Sequence, residues 1–303
     1  MLINTRGAHP HTTLNQITSC ARRETTLDDL LEVLQGTPFG VKKVRVVTGT
    51  ASPHPQSLGF GVVNRRQLGV GTSLSTRDPA FLPLIRLLCR VARELDPGLR
   101  FTSIQVNRNS KFGLHTDSTN MGESGIVAVG GASGGELWVH DPPCDNHASP
   151  CACRFRDVRR FQRFDGNKPH FTKRFSGERY TAVFYITSSF RSASAVDLEY
   201  LTSLGFALPE PDVAAALELK RKSLPPKEER IDAAMKDLIE DQGGGGARGE
   251  GASASEPIDL SDICVIEYDS DEEIEVSEVG VTGMAGGAGG PAAAPPAVTS
   301  GVV

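Results

Sequence analysis

A chain of 303 residues with 39% hydrophobic content has room for one sizeable domain plus attachments. Its mean hydropathy is −0.21, and no apolar run approaches the ~20 residues that span a bilayer, which speaks against a membrane protein. The net charge of −5 is unevenly spread: positions 241–303 hold twelve acids against one base, Arg248, and leave the rest of the chain net basic. That balance suits a nucleic-acid partner, and equally an ordinary solvated surface.

Residues 1–25 show little apolar periodicity and no secretory signal, and read as a flexible lead-in. Thr26 opens an amphipathic helix with its leucines, Leu27 to Leu34, on one face and Gly36 as a stop. Positions 41–50 alternate like a strand, and the Gly-, Pro- and Asn-rich stretch 52–75 predicts loops with short strands. A stronger helix is predicted from about Asp78 to Leu95, its apolar stripe formed by Phe81, Leu84, Leu87, Leu88, Val91 and Leu95. Cys89 beside that stripe reads as core packing.

The stretch from Phe101 to Tyr185 organises the chain. Phe101 to Asn107 alternates as a strand. His115 and Asp117 follow, two residues apart, so on extended backbone they point to one face. Ile126 to Gly130 predicts a buried strand, and the glycines at 130–135 a tight turn into the strand of Leu137, Trp138 and Val139. His170 lies 55 residues beyond His115, enough chain to bring it back beside the pair. Two imidazoles and one carboxylate form the facial triad that holds a non-haem Fe(II) and leaves positions open for O2 and a co-substrate. Arg179 comes nine residues later, at the start of the apolar strand ending at Ile186, where a guanidinium can clamp a carboxylate bidentately. Each piece alone has a bland alternative: a loop end, a satisfied histidine, a snorkelling arginine. Their order is what points to an Fe(II), 2-oxoglutarate-dependent dioxygenase.

At these residues the chain resembles a known superfamily. Gly134, Gly135, Glu136 and Leu137, then Phe164, Asp165 and Gly166, then His170, then Gly177, Glu178, Arg179 and Tyr180 are similar to the double-stranded β-helix 2-oxoglutarate/Fe(II) dioxygenases. Asn107, Arg108 and Asn109 followed by His115, Asp117 and Asn120 resemble the TET/JBP branch, which oxidises methylated pyrimidines in DNA. The resemblance covers roughly Phe101 to Ser189. It implies an α+β fold with a jelly-roll, cupin-like core at 101–189 inside a domain at 26–209, buttressed by N-terminal helices. It implies Fe(II) on His115, Asp117 and His170, 2-oxoglutarate at Arg179 and Asn107, and substrate contacts from Asn120 and Arg108. O2 is the co-substrate, and a 5-methylcytosine methyl in DNA would be hydroxylated as 2-oxoglutarate is decarboxylated to succinate. Turn chemistry is the alternative for Asn107 and Asn109, and local backbone satisfaction for Asn120. Two other classes stay open: a prolyl-hydroxylase-like or small-molecule hydroxylase of the same superfamily, and a non-catalytic interaction protein.

The six cysteines form no disulfide framework at this length, which favours a reducing, intracellular compartment. Cys144, His147, Cys151 and Cys153 read either as a small zinc site or as a loop insertion with incidental thiols. Arg154, Arg156, Arg159, Arg160 and Arg163 form the densest basic cluster, which tracks a phosphate backbone or forms a solvated face. A short helix is expected over 197–204 and a charged helical extension over 210–242, broken at Pro225 and Pro226. From 243 the composition predicts a disordered acidic, Gly/Ala-rich tail. Within it, Ile258–Glu273 resembles a SUMO-interacting motif, an apolar run followed by acids, which adds a strand to a partner's sheet edge and places the protein in a nucleus.

Overall fold

A computed structural model describes residues 26–39, 56–65, 69–141 and 154–243. The lead-in, the predicted strand at 41–50, the cysteine cluster at 144–153 and the tail beyond 243 lie outside the described residues. The chain folds as helices on antiparallel sheet. Helix α1 (26–36) is followed by strands β1 (Gln56–Arg65) and β2 (Gly69–Thr72), the single turn α2 (Leu74–Arg77), and α3 (Leu82–Leu95). Then come β3 (Ser103–Arg108), β4 (Asn120–Val129), β5 (Ser133–Gly134), β6 (Leu137–Val139), β7 (Phe155–Arg156), β8 (Gln162–Asp165), β9 (His170–Thr172), β10 (Phe175–Ser176) and β11 (Tyr180–Thr187). Helices α4 (Ala195–Leu204), α5 (Pro211–Lys222) and α6 (Lys227–Gly243) end the described chain.

The strands form a six-stranded sheet in the order β2-β1-β3-β11-β4-β8, a three-stranded sheet in the order β7-β6-β9 and a two-stranded pair, β10-β5. Alternation along each strand sorts the side chains into two faces. On the large sheet, Ile104, Val106, Tyr180, Ala182 and Phe184 pack with Ile85, Leu88, Val91 and Ala92 of α3 in the main core. Fully burying one such aliphatic side chain stabilises the fold by about 1.5–3 kcal/mol. On the opposite face Ile126, Ala128 and Val183 meet Leu137 and Val139 of the small sheet. The space between the sheets is therefore lined by the odd-numbered residues of β11 and those of β6.

The helices predicted from pattern are present. Pro83 sits in the first turn of α3, where its missing N–H costs nothing. Ser194 caps α4 by accepting from the Asp197 N–H, and Gly205 ends it in the left-handed region. The stretch 52–75 departs from the expected loops with short strands in one respect, because β1 is a strand of ten residues. Gly61 is what makes this possible. With φ at +96° and a Cβ there only 2.1 Å from the Thr102 carbonyl oxygen, no other residue fits. At Gly61 the strand changes partner, from β3 over Gln56–Gly61 to β2 over Val62–Arg65.

The five clustered arginines are mostly neutralised. Arg154 pairs with Asp237, Arg156 with Asp141, Arg159 with Asp157, and Arg163 with Asp96 and Glu123. Folding brings acids from other elements to this stretch, which its own sequence does not reveal. Among the described residues no helix is long and apolar enough to cross a membrane.

Candidate metal centre

His115 and His170 face each other across an antiparallel bridge. The His115 N–H donates to the His170 carbonyl at 3.0 Å, and the His170 N–H to the His115 carbonyl at 2.9 Å. Leu114 and Phe171, the residues next to them, turn to the outer face of the small sheet. Period-2 alternation therefore sends both imidazoles into the space between the sheets, with ring centroids 4.2 Å apart. The Asp117 N–H bonds the Gly166 carbonyl at 2.8 Å, and its carboxylate oxygens lie 3.8 Å from His115 Nε2 and 3.8 Å from His170 Nε2. Among the described residues these three form the group able to hold a metal ion, with ligand atoms within 4.8 Å of one another.

The hydrogen bonds fix which nitrogen is available. His115 Nδ1 lies 2.8 Å from the Gly113 carbonyl and His170 Nδ1 2.8 Å from the Lys168 carbonyl. A carbonyl only accepts, so each Nδ1 is the donor and each ring turns its Nε2 to the centre. Burial holds His115 well below the ordinary imidazole range, and the facing His170 adds to this, so it stays neutral and ready to ligate. Asp117 brings the single negative charge. Two imidazole nitrogens and one carboxylate fit a ferrous ion with open positions. The side chain of Asp117 is 34% exposed against 10% and 5% for the histidines, so the centre opens on the Asp117 side.

Asn120 holds the carboxylate. Its Nδ2 donates to Asp117 Oδ2 at 3.1 Å, and its backbone carbonyl accepts from Asn167 Nδ2 at 3.0 Å. No hydrogen bond engages its Oδ1 among the described residues. Gly166 leaves the room for this pair: a Cβ there would stand 3.1 Å from Asp117 Oδ2 and 3.3 Å from Asn120 Nδ2.

Arg179 precedes β11 and is 4% exposed. Its Nη2 donates to the Gly135 carbonyl at 2.9 Å, and its guanidinium lies over Phe175. Gly135, at φ +81°, is required here, since a Cβ would sit 2.7 Å from Arg179 Nε. Burial pulls the guanidinium down to about 10, still charged at neutral pH, with Glu136 opposing the shift. No carboxylate of the described residues pairs with it. The remaining donors of a buried cation are thus open to an anionic ligand.

The other predicted residues divide. Asn107 is buried on the inter-sheet face, its amide engaged at both ends by Gln105 and Thr181. Arg108 lies on the opposite face of β3, where it pairs with Glu178 at 2.9 Å and covers the Tyr180 ring; the metal centre is on the other side. Asn109 adopts φ +50° and clips the Arg179 backbone with two 2.8 Å bonds, its Oδ1 accepting from the Arg179 N–H and its own N–H donating to the Arg179 carbonyl. Sequence reading missed Tyr185. A bulge between Phe184 and Ile186 frees it from β4, and burial pushes its hydroxyl up to about 12 with the Asp117 charge adding. Its parity with Arg179 was the available signal.

No protein-family model and no curated protein matches the chain. Several solved structures are similar. A 2OG-Fe(II) oxygenase family oxidoreductase from Burkholderia pseudomallei shares 18% identity over 51% of this chain and 76% of that one, with a TM-score of 0.35. NgTET1 in complex with 5mC DNA shares 11% identity over 60% and 76% of the two chains, also at 0.35. A prolyl hydroxylase from Trichoplax adhaerens, in complex with a hypoxia inducible factor peptide fragment, shares 14% over 56% and 80%, at 0.32. At such scores none of these likenesses assigns a reaction or a substrate, and the side chains of the centre carry that reading.

Proposed function

We propose that this chain is an Fe(II)- and 2-oxoglutarate-dependent dioxygenase whose two larger antiparallel sheets form a double-stranded β-helix. One observation carries the reading: two histidines 55 residues apart in sequence turn their Nε2 atoms to one carboxylate, in the space between the sheets. Iron bound there supplies the activation of O2, coupled to oxidative decarboxylation of 2-oxoglutarate. His115 enters as a neutral donor, and His170 turns its Nε2 to the same point. Asp117 supplies charge, and Asn120 keeps that carboxylate turned inward. Arg179 binds the distal carboxylate of 2-oxoglutarate through donors that the protein leaves unused, in a site whose burial strengthens the pair. Asn107 braces the strand pair behind it.

The substrate in this reading is a nucleic-acid base, 5-methylcytosine in DNA. Its support is the Oδ1 of Asn120, an acceptor held beside the metal carboxylate and suited to the exocyclic amino group of a flipped cytosine. A protein hydroxylase is the second reading, favoured by the pairing of the arginine cluster with acids, which removes charge a phosphate backbone would use. The Ile258–Glu273 segment completes the proposal as a docking strand for a SUMO-like partner in the nucleus.

The test supplies Fe(II), 2-oxoglutarate and O2 with methylated duplex DNA or a proline-containing peptide, and follows succinate and substrate mass together. His115→Ala and Asp117→Ala are expected to abolish succinate formation while the protein still melts cooperatively. Full turnover in both variants would refute the assignment. Hydroxylated peptide without oxidised cytosine would replace the base reading with the protein one.

A further inference from the structure

The helix pair at the end of the described chain touches both segments that carry the metal ligands. On α6, Ile231, Ala234 and Leu238 bury against Leu114, Trp138 and Phe171. Leu114 immediately precedes His115, and Phe171 immediately follows His170. From α5, Arg221 Nη1 donates to the Ser118 carbonyl at 2.9 Å, one residue past Asp117. Its Nε and Nη2 are held in a fork by Glu218, both at 2.8 Å, so the guanidinium cannot swing away cheaply. Arg230 donates to the Asn167 carbonyl, in the loop leading to His170, and its Nε bonds the Pro225 carbonyl. Asn167 in turn donates to the carbonyl of Asn120, the residue that holds Asp117. The far half of α6 is pinned by Asp237, which bonds His140 at 3.0 Å and Arg154 at 3.0 Å.

We propose that α5 and α6 form a clasp in which Arg221 and Arg230 act as positioning residues, setting the spacing of the two metal-bearing segments. The physical reason lies in how the ligands are mounted. His115 is held to His170 by a single bridge, His170 begins the three-residue strand β9, and Asp117 sits on a turn. Segments this short are not held to the few tenths of an ångström that coordination needs unless something outside grips both. The clasp does so from behind the small sheet and at its rim. It contributes no ligand; it removes freedom from the ones present.

This rests on the metal reading of the triad, so the experiment separates the two. Full-length protein is titrated with Co2+ by calorimetry with O2 excluded. The cobalt visible band reports geometry, and thermal melting of the metal-free protein reports fold. Asp117→Ala should lose Co2+ binding; wild-type affinity in that variant would overturn the metal site itself. Arg221→Ala and Arg230→Ala should each weaken Co2+ binding by about 10-fold or more and alter the band, in line with changes to groups that orient ligands. Arg159→Ala, an exposed pair on another loop, should bind as wild type. If Asp117→Ala loses binding while both arginine variants keep wild-type affinity and band, the clasp is wrong. Where an alanine variant does not melt cooperatively, Arg221→Gln or Arg230→Gln takes its place under the same criterion.

Discussion

Replacing Arg179 with Met separates stability from co-substrate binding. The change removes the hydrogen bond to the Gly135 carbonyl, worth about 1 kcal/mol, and the contact with the Phe175 ring, about 0.5–2 kcal/mol. It also ends the burial of a cation that has no carboxylate partner among the described residues, a cost of several kcal/mol. These terms nearly cancel, so the metal-free variant should melt within a few degrees of wild type or above it, at about 2–4 °C per kcal/mol. Binding of 2-oxoglutarate should fall steeply. Truncating one partner of a desolvated, hydrogen-bonded charge pair costs about 2–5 kcal/mol, which is at least ~30-fold in affinity. The assay is calorimetric titration of 2-oxoglutarate into the Mn2+-loaded protein without O2. An affinity within about threefold of wild type would show that the guanidinium is not the anchor. A melting point lowered by more than about 10 °C would show that it holds the fold instead.

Two further changes probe the frame around the centre. Gly166→Ala places a methyl 3.1 Å from Asp117 Oδ2, so the carboxylate must shift; metal affinity should drop about 10–100-fold while secondary structure by circular dichroism is unchanged. Asp237→Asn tests α6 docking through pH. The hydrogen bond from His140, with Arg154 beside it, holds the Asp237 carboxyl below its ordinary value. The unfolded chain therefore takes up this proton first as the solution is acidified. Wild type should exceed the variant in stability above about pH 4, and the gap should close as pH falls through the lower folded value. A gap that persists at pH 2 in urea melts would remove this tether from the account.

The centre was legible because alternation is a local property of extended chain. His115 and Asp117, and Arg179 with the strand after it, declare their faces without knowledge of the fold. The pairing of His170 with His115 was legible only as possibility, since a sequence gap shows that a chain can return and not where it lands. Tyr185 escaped because its exposure to the site depends on a bulge, a mismatch between β11 and β4 that neither strand shows alone.

By itself the sequence determined the helix stripes, the alternating strands and the chemistry of the ligands, since each follows from side chains within a few residues of one another. The tertiary structure decided what depends on distant partners. It set Arg108 against Glu178 on the face away from the centre, and used most of the arginine cluster on acids. It also packed a charged extension against the residues beside the histidines. Whether a cation meets an anion, a ligand or water is settled by which segment folds beside it, and that information lies in the whole chain.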